Sequence, residues 1–329
     1  SRFVCVCPFL ALCRLMVRLL LIRHGESVQN VFQSKVATLD PEEHHRQMRA
    51  ESSEVDGDVT LSPLGFEQCE RLAEVWAPLL EEKARSGQLH VFVSPMKRAL
   101  LTAHPLMTEL HRRTGCTAEV LPALHEFGGL TAPSDMIVFD DVERLRRAGA
   151  SKEDVARTLR EFKWRANGKT GSQILSEFPW AALSAGFPLD SPWYTKGFES
   201  PKLAAARMAR LTRFTQGLRE RFAEGDVVAY VAHGGTIADL LHSLLLKDLE
   251  EGKPRETGSN FEAISNTSVT SLVLPGARYR FGPSNRGGLG LERWGVRLEF
   301  LNNLVHLGPG RLRRWAADNS LVKGPSSKL

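Results

Sequence analysis

The chain has 329 residues, 42% hydrophobic and 25% charged, a composition typical of a soluble enzyme and a length that predicts one large domain with insertions. The net charge is +5, but basic and acidic residues alternate without a long basic tract, which favours a small anionic substrate over nucleic acid. The five cysteines are odd in number and show no zinc-type Cys-x-x-Cys spacing, so we expect a reducing, cytoplasmic environment and neither metal nor cofactor.

The N-terminal residues 1–15 contain an apolar run, FVCVCPFLALC. This run is too short to span a membrane, and it lacks the basic region and the cleavage site of a signal peptide. We therefore expect residues 1–15 to be an unstructured extension, with a targeting segment as the alternative. Residues 16–310 are then the main domain and residues 311–329 a C-terminal tail.

Short runs of Val, Ile and Leu alternate with helical patterns along the chain. This alternation predicts an α/β fold with a mostly parallel central sheet. The predicted strands are 17–22, 90–93, 118–121, 227–232, 268–274 and 296–301. The predicted helices, which have apolar residues at spacings of three and four, are 63–80, 95–113 and 236–249.

Three stretches interrupt the alternation, and one of them comprises the glycine-containing loops at residues 251–262 and 282–290. Residues 31–60 are polar and rich in turn formers, which predicts an exposed loop or a lid. Residues 130–200 form a longer insertion in which Ser151 and Asp154 resemble a capping box. The capping residues and the tryptophans of this insertion predict a helical cap over a site. The tryptophans are Trp164, Trp180 and Trp193.

Two predicted strands end in a histidine followed by glycine, in LLLIRHGES and in VVAYVAHGGT. Since ligands bind outside the carboxyl ends of parallel strands, His24 and His233 should face one crevice. Glycines such as Gly234 allow backbone amides to approach a ligand closely, and a helix N-terminus favours negative charge. These strand ends therefore predict an anion site.

Arginines accompany both the first strand end and a third one, in VFVSPMKRALL. Arg23 and Arg98 carry planar, permanently charged forks that suit phosphate oxygens. A neutral imidazole beside them could attack phosphorus, and His24 has the reference pKa, about 6.5, that leaves a neutral fraction near pH 7. The pattern indicates phosphoryl transfer.

The segments LLLIRHGESVQN, LSPLGFEQC, SPMKRALLTA, LHEFGGL and VAHGGTIADLL resemble the successive motifs of the histidine phosphatase (phosphoglycerate mutase-like) superfamily. The Arg-His-Gly-x-Arg-x-Pro motif and the His-Asp pair of the acid phosphatase branch do not occur, so the resemblance is to branch 1. It implies a three-layer α/β/α sandwich with a helical cap insertion.

The resemblance also implies roles for individual residues. His24 would be the nucleophile that forms a phosphohistidine, and Glu126 would donate a proton to the leaving oxygen. A cationic His233 would stabilise the transferred oxygens. The phosphate would further be held by Arg23, Asn30, Arg98 and Gly234.

Three functions are compatible with these motifs. The mutases of the superfamily carry a Trp-Arg-Arg motif that Arg146 and Arg147 imitate only superficially, and the Tyr and Lys that follow the acid in mutases are absent from EFGGLTAPSD. We therefore favour hydrolysis of a small phosphorylated substrate, without metal, nucleic acid or membrane. The alternatives are a mutase and a non-catalytic module that binds a phosphorylated ligand; substrate identity and oligomeric state stay open.

Overall fold

The computed structural model describes a part of the chain that includes all the motifs named above. The described residues are 16–36, 38–40, 42–43, 46–47, 58–130, 141–142, 144–161, 167–195, 197, 199–245, 264–275, 292–293 and 296–307. The extension expected at residues 1–15 and the tail expected at residues 311–329 lie outside them, as do Trp164 and the loops expected at residues 251–262 and 282–290. Within the described ranges, no helix is long and apolar enough to cross a membrane.

The centre of the fold is a single mixed sheet. Its strands are β1 (Met16–Arg23), β2 (Leu89–Val93), β3 (Ala118–Val120), β4 (Ala181–Leu183), β5 (Val227–Ala232), β6 (Val269–Pro275), β7 (Glu292–Arg293) and β8 (Val296–Asn303). Their order is β4-β3-β2-β5-β1-β6-β8-β7. The strands from β4 to β1 pair in parallel, and β6, β8 and β7 add antiparallel pairs. The prediction of a mostly parallel sheet is confirmed, with an antiparallel extension beyond β1.

Helices follow most of the strands. They are α1 (Val28–Val36), α2 (Pro63–Arg85), α3 (Lys97–Thr114), α4 (Lys152–Glu161), α5 (Gly171–Glu177), α6 (Pro201–Gln216), α7 (Leu218–Arg221) and α8 (Gly234–Leu245). The three predicted helices are present with shifted ends. Helix α2 continues past residue 80 because Leu80 and Ala84 extend its buried face, and α3 stops where Gly115 adopts a left-handed conformation with φ of 73°.

The helices cover both faces of the sheet. Alternate residues of a strand point to opposite faces, so on β1 the side chains of Leu20 and Ile22 pack with α2, α3 and α5. Leu19 and Leu21 pack on the other face with α6, α7 and α8. This arrangement confirms the three-layer α/β/α sandwich.

The insertion predicted as a helical cap is only partly helical. It contains α4 and α5, but β4 pairs with β3 and extends the central sheet. Trp180 is buried, and its indole Nε1–H donates to His104 Nδ1 at 3.1 Å. This part of the insertion therefore belongs to the sandwich, and the three-residue strand Ala-Ala-Leu was too short to give a periodic signal. The prediction of a loop over residues 31–60 is wrong at its start, because α1 continues to Val36.

Candidate active site

The carboxyl ends of the neighbouring strands β1, β5 and β2 bring His24, His233 and Ser94 together. The His24 N–H donates to the carbonyl of Ala232 at 2.9 Å, and the Ser94 N–H donates to the carbonyl of Val231 at 3.0 Å. The rings of His24 and His233 have centroids 5.1 Å apart. All three side chains are buried, so the two motifs that end in His-Gly meet as predicted.

The His24 ring is held in one tautomer. Its Nδ1 lies 2.6 Å from the carbonyl oxygen of Gly25, and because a carbonyl only accepts, Nδ1 carries the hydrogen. Its Nε2 accepts a hydrogen bond from Arg98 Nε at 3.3 Å. Burial, together with the charges of Arg98 and Arg23, lowers the pKa of His24 well below its ordinary value. The ring is therefore neutral with its lone pair on Nε2.

The two predicted arginines are both at this site. Arg98 is buried at 6% exposure, and the Nη1–H of Arg23 donates to the carbonyl of Ile264. Burial lowers the pKa of both guanidinium groups, and the negative charge of Glu126 partly offsets this effect. The buried Nε of Arg23 has no hydrogen-bond partner among the described residues. The buried Arg98 and the partly buried Arg23, with its unused buried Nε donor, form a site that an anion would complete.

Gly234 follows His233 and lies against Arg23. A Cβ at this position would stand 3.2 Å from Arg23 Nε, which is closer than an ordinary contact. The absence of a side chain thus leaves room for the guanidinium. The structure places Gly234 at the predicted site, although the contact it makes is with Arg23.

His233 lies beside Ser94 and Arg98. Its Nε2 lies 2.8 Å from Ser94 Oγ, while the buried Nδ1 has no partner within the described part of the chain. Burial, followed by the charges of Arg98 and His24, lowers the pKa of His233 well below its ordinary value. In the ligand-free protein, burial beside a guanidinium thus disfavours a positive charge on His233, and a cationic His233 with phosphate bound stays a prediction.

Asn30 lies at the start of α1, close to the loop that follows β1 and carries His24. Its Oδ1 accepts hydrogen bonds from the backbone N–H and the Oγ of Ser27, each at 3.1 Å, and from Asn266 Nδ2 at 3.2 Å. Phosphate oxygens accept hydrogen bonds, so only the Nδ2 group of Asn30 could serve such a ligand. Its role as a phosphate ligand stays a prediction.

The Glu126 carboxylate lies at the N-terminus of α8. Its Oε2 accepts from the Gly235 N–H at 3.1 Å, and its Oε1 accepts from the Thr236 N–H at 3.1 Å and the Phe127 N–H at 2.8 Å. A Cβ on Gly235 would come within 2.7 Å of Oε1. The helix amides predicted to face a bound anion therefore hold the carboxylate of the predicted proton donor.

The sequence comparison agrees with this geometry. Residues 19–148 match the model of the histidine phosphatase superfamily (branch 1). Within these residues the chain is similar to this superfamily. A search of curated proteins gives no match.

Several solved structures are similar to this chain. A mycobacterial glucosyl-3-phosphoglycerate phosphatase in complex with inorganic phosphate is 22% identical, with 88% of this chain and 98% of the other covered and a TM-score of 0.42. Phosphoserine phosphatase from Entamoeba histolytica in complex with 3-phosphoglyceric acid is 17% identical, with 89% and 100% covered and a TM-score of 0.42. Phosphoglycerate mutase from Bacillus anthracis is 16% identical, with 90% and 97% covered and a TM-score of 0.42.

A turn before β6 supports the loop that carries His24, and no motif in the sequence indicates this contact. Asn266 Nδ2 donates to the carbonyl of His24 at 3.0 Å, and the Thr267 N–H donates to the carbonyl of Arg23 at 3.1 Å. Thr267 has a φ of 53°, a strained value for a β-branched residue. From the other side, Thr102 Oγ1 accepts from the Gly25 N–H at 2.9 Å.

Two further observations bear on earlier expectations. Arg146 and Arg147 are exposed. His125 lies 2.7 Å from the carbonyl oxygen of Pro122 through its Nδ1. Among the described residues, no group of three or more His, Cys, Asp or Glu side chains could hold a metal ion.

Proposed function

We propose that this chain hydrolyses a small phosphomonoester through a phosphohistidine formed on His24. The observation that supports this most directly is the state of the His24 ring. Its Nδ1–H donates to the Gly25 carbonyl. Its Nε2 carries no hydrogen and accepts a hydrogen bond from Arg98. A neutral imidazole with a fixed tautomer, beside cations that can hold a phosphoryl group, is an activated nucleophile.

The phosphoryl group binds where the buried donors lack partners. Arg23 Nε is one such donor, and His233 becomes another when its hydrogen is on Nδ1 and Nε2 accepts from Ser94. Phosphoryl oxygens satisfy both and neutralise the buried positive charge. A bound dianion also opposes the effect of Arg98 on the pKa of His233, so that His233 can gain a proton in the complex.

In the first step, the lone pair of His24 Nε2 attacks phosphorus and forms a P–N bond. The P–O bond to the alcohol breaks, and the departing oxygen takes a proton from Glu126. Two donors already occupy Oε1 of this carboxylate, namely the backbone N–H groups of Thr236 and Phe127, whereas one donor contacts Oε2. The Thr236 hydroxyl donates its single hydrogen to the carbonyl of His125. Oε2 therefore has the lone pair that can carry the transferred proton.

In the second step, water attacks the phosphohistidine. Glu126 takes a proton from the water, the P–N bond breaks with its electron pair returning to Nε2, and inorganic phosphate leaves. The same group acts first as acid and then as base, as microscopic reversibility requires. Each half reaction has a lower barrier than direct hydrolysis.

The test is release of phosphate from a panel of phosphomonoesters, without added metal, by the wild type and by His24→Ala. We expect the variant to lose at least about 10³-fold in turnover, because it lacks the nucleophile. His90→Ala is the matched control, since His90 lies near the start of β2. The proposed site lies beyond the other end of this strand, where Ser94 follows.

Trapping of the intermediate makes the test specific. Brief reaction with a labelled ester should leave acid-labile phosphate on the wild type and on His90→Ala, and none on His24→Ala. Label on another residue, or turnover that survives in His24→Ala, would contradict the proposal. Exchange of phosphate between phosphoglycerates without release would assign the mutase alternative, and phosphate binding with neither reaction would assign the binding module.

A further inference from the structure

A buried ion pair lies behind the proposed proton donor and takes no part in the mechanism above. Arg207, on α6, is 4% exposed, and Glu199, which precedes this helix, is 6% exposed. Arg207 Nε donates to Glu199 Oε1 at 2.8 Å, and Nη2 donates to Oε2 at 2.7 Å. Such a bidentate pair fixes both side chains in one orientation.

The remaining nitrogen of Arg207 contacts the segment that carries Glu126. Its Nη1 donates to the carbonyl of Ala123 at 3.1 Å and to the carbonyl of His125 at 3.0 Å. The second carbonyl belongs to the peptide bond that joins His125 to Glu126. Thr236 Oγ1 donates to the same oxygen at 2.8 Å, so two donors from different helices fix the peptide plane directly before the acid.

Glu199 contacts the same segment on the other side of the acid. Its N–H donates to the carbonyl of Gly128 at 3.0 Å. Burial alone would raise the pKa of Glu199, but the hydrogen bonds from Arg207 and from His125 together outweigh it and lower this pKa to about 2. The pair stays ionised throughout the neutral range, and it holds the chain both before and after Glu126.

We infer that Arg207, held by Glu199, is a positioning residue that sets the location of the Glu126 carboxyl group for proton transfer. The inference rests on the proposed function, since it assigns the supporting structure of the same acid. The guanidinium acts through the backbone of His125 and makes no contact with the carboxylate itself in the structure. Misplacement of a catalytic group by about 1 Å can lower a rate about 10²-fold.

The leaving group of the substrate separates this role from a purely structural one. The p-nitrophenolate ion is a weak base and departs with little help from an acid, whereas benzyl alkoxide is a strong base and requires a proton. Loss of acid positioning should therefore lower turnover of benzyl phosphate and spare p-nitrophenyl phosphate. General destabilisation of the fold would lower both activities by one factor.

The experiment compares kcat/KM for these two esters, similar in size, in the wild type and in Arg207→Lys. The lysine keeps the positive charge but cannot form the bidentate pair and reach the two carbonyls together. We expect a loss of about 10- to 100-fold for benzyl phosphate, with p-nitrophenyl phosphate changed by less than about threefold. Glu126→Gln should show the same selectivity in stronger form.

The matched control is Asp226→Asn, which alters another polar side-chain pair, that of a buried aspartate with a partly buried histidine. Asp226 Oδ2 lies 3.0 Å from His90 Nε2, far along the sheet from the acid, and this variant should leave the ratio of the two activities unchanged. Glu199→Gln is the second variant if Arg207→Lys folds poorly. The ratio is informative even in a partly unfolded sample, because both esters are measured on the same protein.

An equal loss for both esters in Arg207→Lys and Glu199→Gln, or no loss for either, would overturn the inference while leaving the proposed function intact. The proposed function fails separately if the wild type hydrolyses neither ester or if His24→Ala keeps the activity. A selective loss in Asp226→Asn would also count against the inference, because it would show that a polar pair far from the acid has this effect.

Discussion

Substitution of Gly65 by alanine tests how closely α2 must approach the loop that carries His24, the proposed nucleophile. Gly65 lies in the first turn of α2, and a Cβ at this position would stand 2.0 Å from the carbonyl oxygen of Glu26. Relief of this overlap requires the two segments to separate by about 1 Å, since real contacts are seldom shorter than 3.0 Å. The same oxygen accepts from the Ser62 N–H at 2.8 Å, so the separation also breaks the junction between helix and loop.

Glu26, the residue that the substitution displaces, is two positions from His24, the proposed nucleophile. Overpacking of a well-packed region destabilises a protein by about 1–3 kcal/mol. A shift of about 1 Å at Glu26 moves the neighbouring Gly25 and His24, and a misplaced nucleophile lowers turnover by about 10²-fold. Gly65→Ala should therefore lose activity in the part of the population that stays folded, in addition to losing stability.

Denaturant unfolding and kcat/KM for p-nitrophenyl phosphate measure the two effects. Gly217→Ala is the control, because Gly217 has helical dihedral angles of −75° and −7° and a Cβ there would be 3.4 Å from the nearest atom. Alanine should be neutral at that position or stabilise by about 0.4–1 kcal/mol. Wild-type activity and stability in Gly65→Ala would refute the reasoning.

Two further measurements address charge. Inorganic phosphate at about 100 times its Kd should raise the unfolding free energy of the wild type by about 2.7 kcal/mol. Arg98→Gln should abolish most of the corresponding rise in Tm, while Arg112→Gln, a control at an exposed site, should keep it. An equal rise in Tm in both variants would contradict the anion site. Burial lowers the pKa of His306 from 6.5 to about 4, so the unfolded chain gains a proton that the folded protein excludes, and stability should fall as pH drops from 6.5 to about 4. His306→Asn should flatten this slope in denaturant unfolding, and an unchanged slope would show that other groups cause it.

The parts of the site that could be predicted from the sequence are those in short segments next to strands. Arg23 and His24 directly follow β1, and His233 directly follows β5. These strands are neighbours in a parallel sheet, and the carboxyl ends of such strands lie at one edge. Local order along the chain was therefore enough to place these residues together.

The supporting contacts could not be predicted because they join segments that are remote in sequence. Asn266 reaches the carbonyl of His24 across 242 positions, and Glu126 finds its donors at Gly235 and Thr236, more than 100 positions away. Arg207 and Glu199 are closer in sequence, but Glu199 lies before α6, so helical periodicity does not relate them. In each case a polar residue in an irregular segment carried no sign of its partner.

The same remoteness explains why the charge of His233 in the ligand-free protein could not be predicted from the sequence. A reference pKa describes a solvated imidazole, whereas His233 lies in a buried cluster with Arg98 and His24. Desolvation and a neighbouring guanidinium both oppose protonation. The state of a histidine thus depends on burial and on neighbours that only the folded chain brings together.

The charges of the folded site suggest how substrate and proton enter together. Arg23 and Arg98 contribute two positive charges and Glu126 one negative charge, and the attractions between them are part of the electrostatics of the free protein. The buried Asp58 carboxylate also acts on Arg98. With both histidines neutral, these four side chains have a net charge of about 0, and a phosphoryl dianion changes this to about −2. A proton taken up with the substrate reduces the excess negative charge in a buried site where unbalanced charge is unfavourable. The proposed first step consumes one proton at the leaving oxygen, so the charge balance that favours proton uptake also supplies the proton that the reaction needs.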